Sequence, residues 1–198
     1  MLADMVCLQL ETGMRPGELV AMRPCDIDIT GVVWLYRPGQ HKTQHYGHER
    51  IVPIGPRGQE IIRRHLTTDV EAFIFSPAKL MEERAATLRA NRKSKVQPSQ
   101  QNRKKRRPAK KPGMVYTVLA YGRAIAEAIK RHNRDKEPEK KIPHWHPHQL
   151  RHLRALELKR AAGLDVARAV LGHRTPQMTE HYASLDIAKA AELMAIIG

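Results

Sequence analysis

Apolar and polar positions alternate along this chain with two different periods. Leu2, Met5, Val6 and Leu10 recur at helical spacing and Gly13 follows as a stop, which predicts an opening helix. Pro16 suits the first turn of a second, short helix carrying Glu18, Leu19 and Met22. The period then changes. Gly31 to Tyr36 predicts a strand closed by the turn signal Arg37-Pro38-Gly39, a second strand is expected near Lys42, and a turn at Tyr46-Gly47 leads to a third over Glu49 to Ile54. These three form a small antiparallel sheet.

Helical spacing returns over Gly58 to Leu66, with Ile61 and Ile62 buried, and over Ala78 to Arg89. Val115, Val118, Leu119, Gly122, Ile125 and Ile129 make a helical stripe, and Pro147 to Ala162 predicts a further helix ended by Gly163. Asp165 is placed as the cap of a short helix stopping at Gly172. Thr175-Pro176 opens the helix that holds Tyr182, and Asp186 caps a last amphipathic one through Ile197. The pattern is therefore mainly α with a small antiparallel β-sheet, an α+β chain without internal repeats.

Composition narrows the function. With 198 residues and 41% hydrophobic content the chain has material for a core. No apolar run approaches the roughly 20 residues that span a bilayer, and an N-terminus carrying Asp4 and Glu11 lacks the basic start of a secretory signal. Cys7 and Cys25 are too few for a disulfide framework and fit reduced, partly buried thiols in a cytosolic protein. The net charge is +15, which points to a polyanion and first to nucleic acid. That charge is concentrated: 13 basic and 2 acidic residues lie between Lys79 and Gly113. Within it, Arg92, Lys93, Lys95, Arg103, Lys104, Lys105, Arg106, Arg107, Lys110 and Lys111 form a segment stripped of apolar residues, a basic insertion over about 91–113 that only a bound polyanion orders.

Three clusters can carry chemistry. In Thr12-Gly13-Met14-Arg15-Pro16-Gly17-Glu18, Arg15 stands at a helix start, where free N–H groups and the dipole favour an anion, and Glu18 can hold its guanidinium. The bland alternative is a surface Arg–Glu pair. In His146-Pro147-His148-Gln149-Leu150-Arg151-His152, His148 and Arg151 share a helix face, an imidazole beside a guanidinium that suits a phosphate. The alternation of His144, His146 and His148 admits a metal site, but no supporting carboxylate is at hand and Pro147 interrupts a regular strand. In the third, Leu171-Gly172-His173 precedes Tyr182 by a short helix; alone, such a Tyr is ordinarily a core residue.

In this order and at these spacings, Thr12-Gly13-Met14-Arg15 with Glu18, Lys42, His148 to Arg151, Leu171-Gly172-His173 and Tyr182 resemble the catalytic domain of the tyrosine recombinases, the phage-integrase family. The resemblance implies that family's fold and a site-specific recombinase or integrase acting on double-stranded DNA. Arg15 and Arg151 would clamp the scissile phosphate and Tyr182 would attack it, leaving a 3′-phosphotyrosyl bond. His148 would take a proton, His173 would donate to the phosphate, and Lys42 would protonate the leaving 5′-oxygen. No cofactor, metal or ATP is implied. A homotetramer on DNA is, with segment 185–197 packing either on a neighbour or on its own domain.

The resemblance makes the whole chain, 1–198, one catalytic domain beginning at its first helix, without the family's N-terminal helical domain, in a cytoplasmic, nucleoid-associated protein. The alternatives are a relative that binds DNA without cutting it, and a type IB topoisomerase that relaxes DNA by the same chemistry. A His-metal hydrolase remains a fourth reading, distinguished by inhibition with chelators.

Overall fold

A computed structural model describes residues 1–39, 50–98 and 112–172. Helix α1 (Leu2–Thr12) is central: it packs against α3 (Pro56–Arg63), α6 (Pro147–Ala162) and strand β3 (Val52–Ile54). Its buried stripe is Met5, Leu8, Gln9 and Thr12, turned from the face the apolar residues alone predict, because Gln9 and Thr12 find internal hydrogen bonds and can be buried with the core. The helix ends as expected at Gly13, whose φ of 64° is the left-handed conformation of a C-cap.

The sheet has the order β1-β2-β3, all antiparallel, built from β1 (Ile27–Asp28), β2 (Trp34–Tyr36) and β3. Trp34 pairs with Ile54 and Tyr36 with Val52, and these four side chains turn to the core. The strand predicted over Gly31 to Tyr36 is thus confined to its last three residues: Val32 and Val33 are exposed, in bends rather than strand. The sequence pattern does not predict β1, because two residues leave no periodic signal; the expected strand near Lys42 lies outside the described residues.

Helix α3 starts two residues before its predicted bound, at Pro56, and buries Ile61 and Ile62. Gly58 lets it approach closely, since a Cβ there would lie 2.8 Å from Ile54 and 3.2 Å from Leu8. Helices α4 (Pro77–Ala90) and α5 (Val118–Asn133) follow, capped by Ser76 and Thr117. In α5 the predicted stripe is corrected. Tyr121 and Ile125 are buried, whereas Val118 and Leu119 are exposed and Val115 precedes the helix. α6 has the predicted bounds. α7 (Leu164–Leu171) follows across Gly163, whose φ of 86° makes the turn, so the N-cap is Gly163 and Asp165 lies within the first turn. Cys7 and Cys25 are both exposed, not partly buried. Among the described residues no helix is long and apolar enough to cross a membrane.

Candidate functional site

The Thr12–Glu18 loop is held from several sides. Thr12 donates to the Leu8 carbonyl at 2.7 Å and accepts from the Met14 N–H, Gln9 donates to the Met14 carbonyl, and the Tyr36 hydroxyl donates to the Glu18 carbonyl at 2.8 Å. Arg15 is the N-cap of α2 (Pro16–Val20), with Pro16 in the first turn. Glu18 reaches back to accept the Arg15 N–H at 2.8 Å, and its other oxygen accepts from Arg15 Nη1 at 2.8 Å. The Arg15–Glu18 pair is therefore no loose surface ion pair: Glu18 is 3% exposed, while Arg15 keeps 20% of its side chain open.

A second guanidinium completes the Glu18 shell. Arg50 is buried and meets Glu18 through Nε at 3.3 Å and Nη2 at 3.5 Å, and its Nη1 donates to the carbonyls of Ile51 and Val170. Burial raises the Glu18 pKa, but Arg50, the Arg15 N–H and the Arg15 guanidinium outweigh it and hold the carboxyl below its ordinary value. Sequence reasoning missed Arg50 as part of the site. A signal was available, since Arg50, Val52 and Ile54 share one parity of the strand expected over Glu49 to Ile54, and the other two face the core.

Arg151 lies one turn into α6 and is 2% exposed. Nη1 donates to the Gly13 carbonyl at 2.7 Å and Nη2 to the Leu171 carbonyl at 2.8 Å. Both acceptors sit at helix C-termini, where the last carbonyls lack intrahelical partners and the dipole favours a cation. One guanidinium thereby ties the end of α1 to the end of α7. The chain leaves α7 at Gly172 in a left-handed turn packed on Arg50, so close that a Cβ on this residue would lie 2.6 Å from Arg50 Nη1.

His148 stands in the first turn of α6, on the wall of an open cavity of about 850 Å³ that Arg15 and Glu18 also line. Pro147 and Gln149 form that turn, Gln149 accepting the His146 N–H at 2.6 Å. Burial lowers the His148 pKa, the positive charges of His152, Arg151 and Arg15 add to this, and Glu18 opposes it. Its ring is therefore neutral at pH 7, with a lone pair to accept a proton. The rest of the cavity wall includes Val118, Leu119 and Arg123 of α5, together with His144 and His146. His144, His146 and His148 do not lie along one extended strand, because the helix begins at Pro147, and the first two rings stack edge to face at 4.6 Å. Among the described residues no group of three His, Cys, Asp or Glu side chains could hold a metal.

The structure thus brings Arg15, Glu18 and His148 to one cavity and seats Arg151 beneath the Gly13 turn. Arg92, Lys93 and Lys95 are exposed, with Arg92 bonded to Ser94. Lys42, His173, Tyr182, Arg103, Lys104, Lys105, Arg106, Arg107, Lys110, Lys111 and segment 185–197 lie outside the described residues. The three described tyrosines, Tyr36, Tyr116 and Tyr121, all have phenols pushed upward by burial, and those of Tyr36 and Tyr121 are bonded into the core.

The fold is shared with solved recombinases. The Tn1549 transposon integrase in complex with a circular intermediate DNA superposes with a TM-score of 0.62 at 19% identity, over 96% of this chain and 57% of that one. The XerA recombinase gives 0.55 at 17% identity, over 98% and 60%, and the XerH site-specific recombinase bound to a difH substrate gives 0.51 at 15%, over 98% and 46%. The chain therefore spans about half of the length of these relatives. No curated protein matches it in sequence. Residues 2–189 match the model of the phage integrase family, with the tyrosine-recombinase catalytic fold to go with it, and the chain belongs to that family.

Proposed function

We propose that this chain is the catalytic part of a site-specific DNA recombinase that cuts and rejoins double-stranded DNA through a 3′-phosphotyrosyl intermediate. The observation that carries the reading is the meeting of Arg15, clasped by Glu18, with His148 on one open cavity, although the two are far apart in the sequence. A preplaced cation and a proton acceptor are what attack on a phosphodiester by a hydroxyl requires. Arg15 meets the non-bridging oxygens directly, and Arg151, buried beneath the Gly13 turn, adds positive charge from behind it. The Tyr182 oxygen forms the new bond to phosphorus as its proton passes to His148; the 5′-oxygen leaves with a proton from Lys42, and His173 donates to the phosphate. Membership of the family supports Tyr182 as the nucleophile. These residues' own donors carry the charge, so the reaction runs without metal or ATP.

Exchange between two duplexes requires four such sites, so the protein acts as a homotetramer, with segment 185–197 as the candidate contact in trans. The basic segment from Arg92 to Lys111 follows DNA phosphates in a salt-dependent way, and the site of action is the cytoplasmic nucleoid.

The test uses nicked duplexes tiled across the genomic neighbourhood, with denaturing gels to capture adducts. Wild-type protein is expected to give a covalent band that survives EDTA, and Tyr182→Phe is expected to give none while still binding. An adduct from Tyr182→Phe would displace the nucleophile, and salt-sensitive binding without any adduct would make the chain a non-cutting relative.

His148 gives this chemistry a pH signature. Its folded pKa lies below the ordinary 6.5, so the active, neutral form persists as pH falls through 6.5 and is lost only at more acidic pH. The single-turnover cleavage rate is expected to fall on the acid side with its inflection below pH 6.5, and His148→Ala is expected to slow cleavage by about 10²–10⁴-fold. An inflection above pH 6.5 that vanishes in the variant would contradict the assignment.

A further inference from the structure

We infer that Arg50 is a positioning residue for this reaction, one that sets Arg15 through Glu18 and sets the exit of α7 through the Val170 carbonyl. The inference rests on the reading of the site as a DNA-cleaving centre. It begins with an anomaly of the sheet. Arg50 precedes β3 by two residues, in phase with Val52 and Ile54, and is buried as they are, where a hydrophobic residue would avoid the cost of desolvating a charge. What the guanidinium gains is reach. It touches the carboxylate of α2 on one side and the last turn of α7 on the other, a second tie beside the one Arg151 makes between Gly13 and Leu171.

The Glu18 carboxylate is saturated by this arrangement. Oε1 accepts from Arg15 Nη1 and Arg50 Nε, and Oε2 from the Arg15 N–H and Arg50 Nη2. A carboxylate bonded on both oxygens by two segments cannot rotate, so the Arg15 guanidinium is presented to the cavity in one orientation. At its other end Arg50 fills the space beside Gly172, where any Cβ would collide with Nη1 at 2.6 Å or with Cζ at 3.2 Å. Gly172 is the last residue before His173. Arg50 therefore couples the position of the first arginine of the site to the direction in which the chain departs toward the His173–Tyr182 segment.

The experiment compares Arg50→Gln, Arg50→Lys and the double variant Glu18→Gln/Arg50→Gln in the full chain. Three quantities are read: single-turnover cleavage of a nicked duplex, DNA affinity in a Tyr182→Phe background, and melting temperature. Arg50→Gln is expected to cleave about 100-fold more slowly, the scale of a misplacement near 1 Å, while DNA affinity changes by less than about threefold. Arg50→Lys, which keeps the charge but not the fork, is expected to fall between. The double variant removes the buried carboxylate that has lost one of its two guanidinium partners, so its melting temperature recovers toward wild type while its cleavage rate does not. A loss of rate at nearly unchanged DNA affinity, graded from Arg50→Lys to Arg50→Gln in folded proteins, distinguishes positioning from mere support, and Arg50→Lys still decides the matter if Arg50→Gln is too unstable to assay. Wild-type cleavage by a folded Arg50→Gln protein, or recovery of rate together with stability in the double variant, would overturn the inference. Absence of any adduct from the wild-type protein would instead sink the reading of the site and this inference with it.

Discussion

Replacing Arg151 with methionine is expected to remove about 3–5 kcal/mol of folding stability, a large share of what a domain of this size holds. Methionine keeps an apolar stem of similar length, so little of the loss comes from a cavity. It comes from the carbonyls of Gly13 and Leu171, both in the interior and both bonded by the Arg151 guanidinium at 2.7 and 2.8 Å. Each loses a charged donor at a helix C-terminus, and each buried orphan costs about 1–3 kcal/mol. Lysine is expected to fare little better, because a single ammonium cannot reproduce the two-pronged reach of a guanidinium. Urea unfolding followed by circular dichroism measures the loss, and for a chain of this length it corresponds to a fall in melting temperature on the order of 10 °C. A methionine variant within about 1 kcal/mol of wild type would mean that these two bonds do little to hold α1 and α7 together. Under the proposed function the same variant also loses a positive charge beneath the scissile phosphate, so adduct formation falls further than stability explains.

Gly13→Ala is expected to cost about 2–4 kcal/mol, from two causes that act at one atom. The residue has a φ of 64°, which an alanine adopts only at a penalty of about 1 kcal/mol. The added Cβ would also sit 2.6 Å from Leu171 Cδ2 and 3.1 Å from Arg154 Cγ. The Leu171 tip can swing aside, but Leu171 is fully buried and its own carbonyl is held by Arg151, so the end of α7 must move with it. The loss is therefore expected to be non-additive with Arg151→Met, since both changes loosen the same junction. A double variant with Leu171→Ala, which opens room for the new methyl, is expected to lose less than the sum of its parts in the same urea assay. Full additivity would show that the clash is relieved elsewhere and that only the backbone penalty remains.

Both variants act at the place where two helix ends converge, and neither touches the open cavity. The loop from Thr12 to Glu18 gains its geometry from below: Gly13 is anchored through Arg151 to α7, Met14 through Gln9, and Glu18 through Tyr36 and Arg50. Arg15 is the one charged side chain of that loop left partly open to solvent. Under the proposed function, an anion site built this way owes its orientation to buried bonds and its accessibility to the single side chain that escapes them.

How much of this is legible in the sequence follows the range of the forces involved. The ends of α1, α6 and α7 are readable at Gly13, Pro147, Gly163 and Gly172, because caps and left-handed turns are settled within a few residues of chain. Arg15, Glu18, His148 and Arg151 stand out in the sequence as residue types at helical spacing, and the Arg15–Glu18 clasp forms as that spacing implies. Other features are tertiary. The two-residue β1 exists only because β2 lies beside it. Val118 and Leu119 keep helical periodicity yet face the cavity, since what α5 buries depends on where α2 and α6 pack. The burial of Arg151 and Arg50 is beyond local pattern as well. A guanidinium is stable in the interior only where distant carbonyls and a carboxylate converge on it, and that convergence is a property of the folded packing alone.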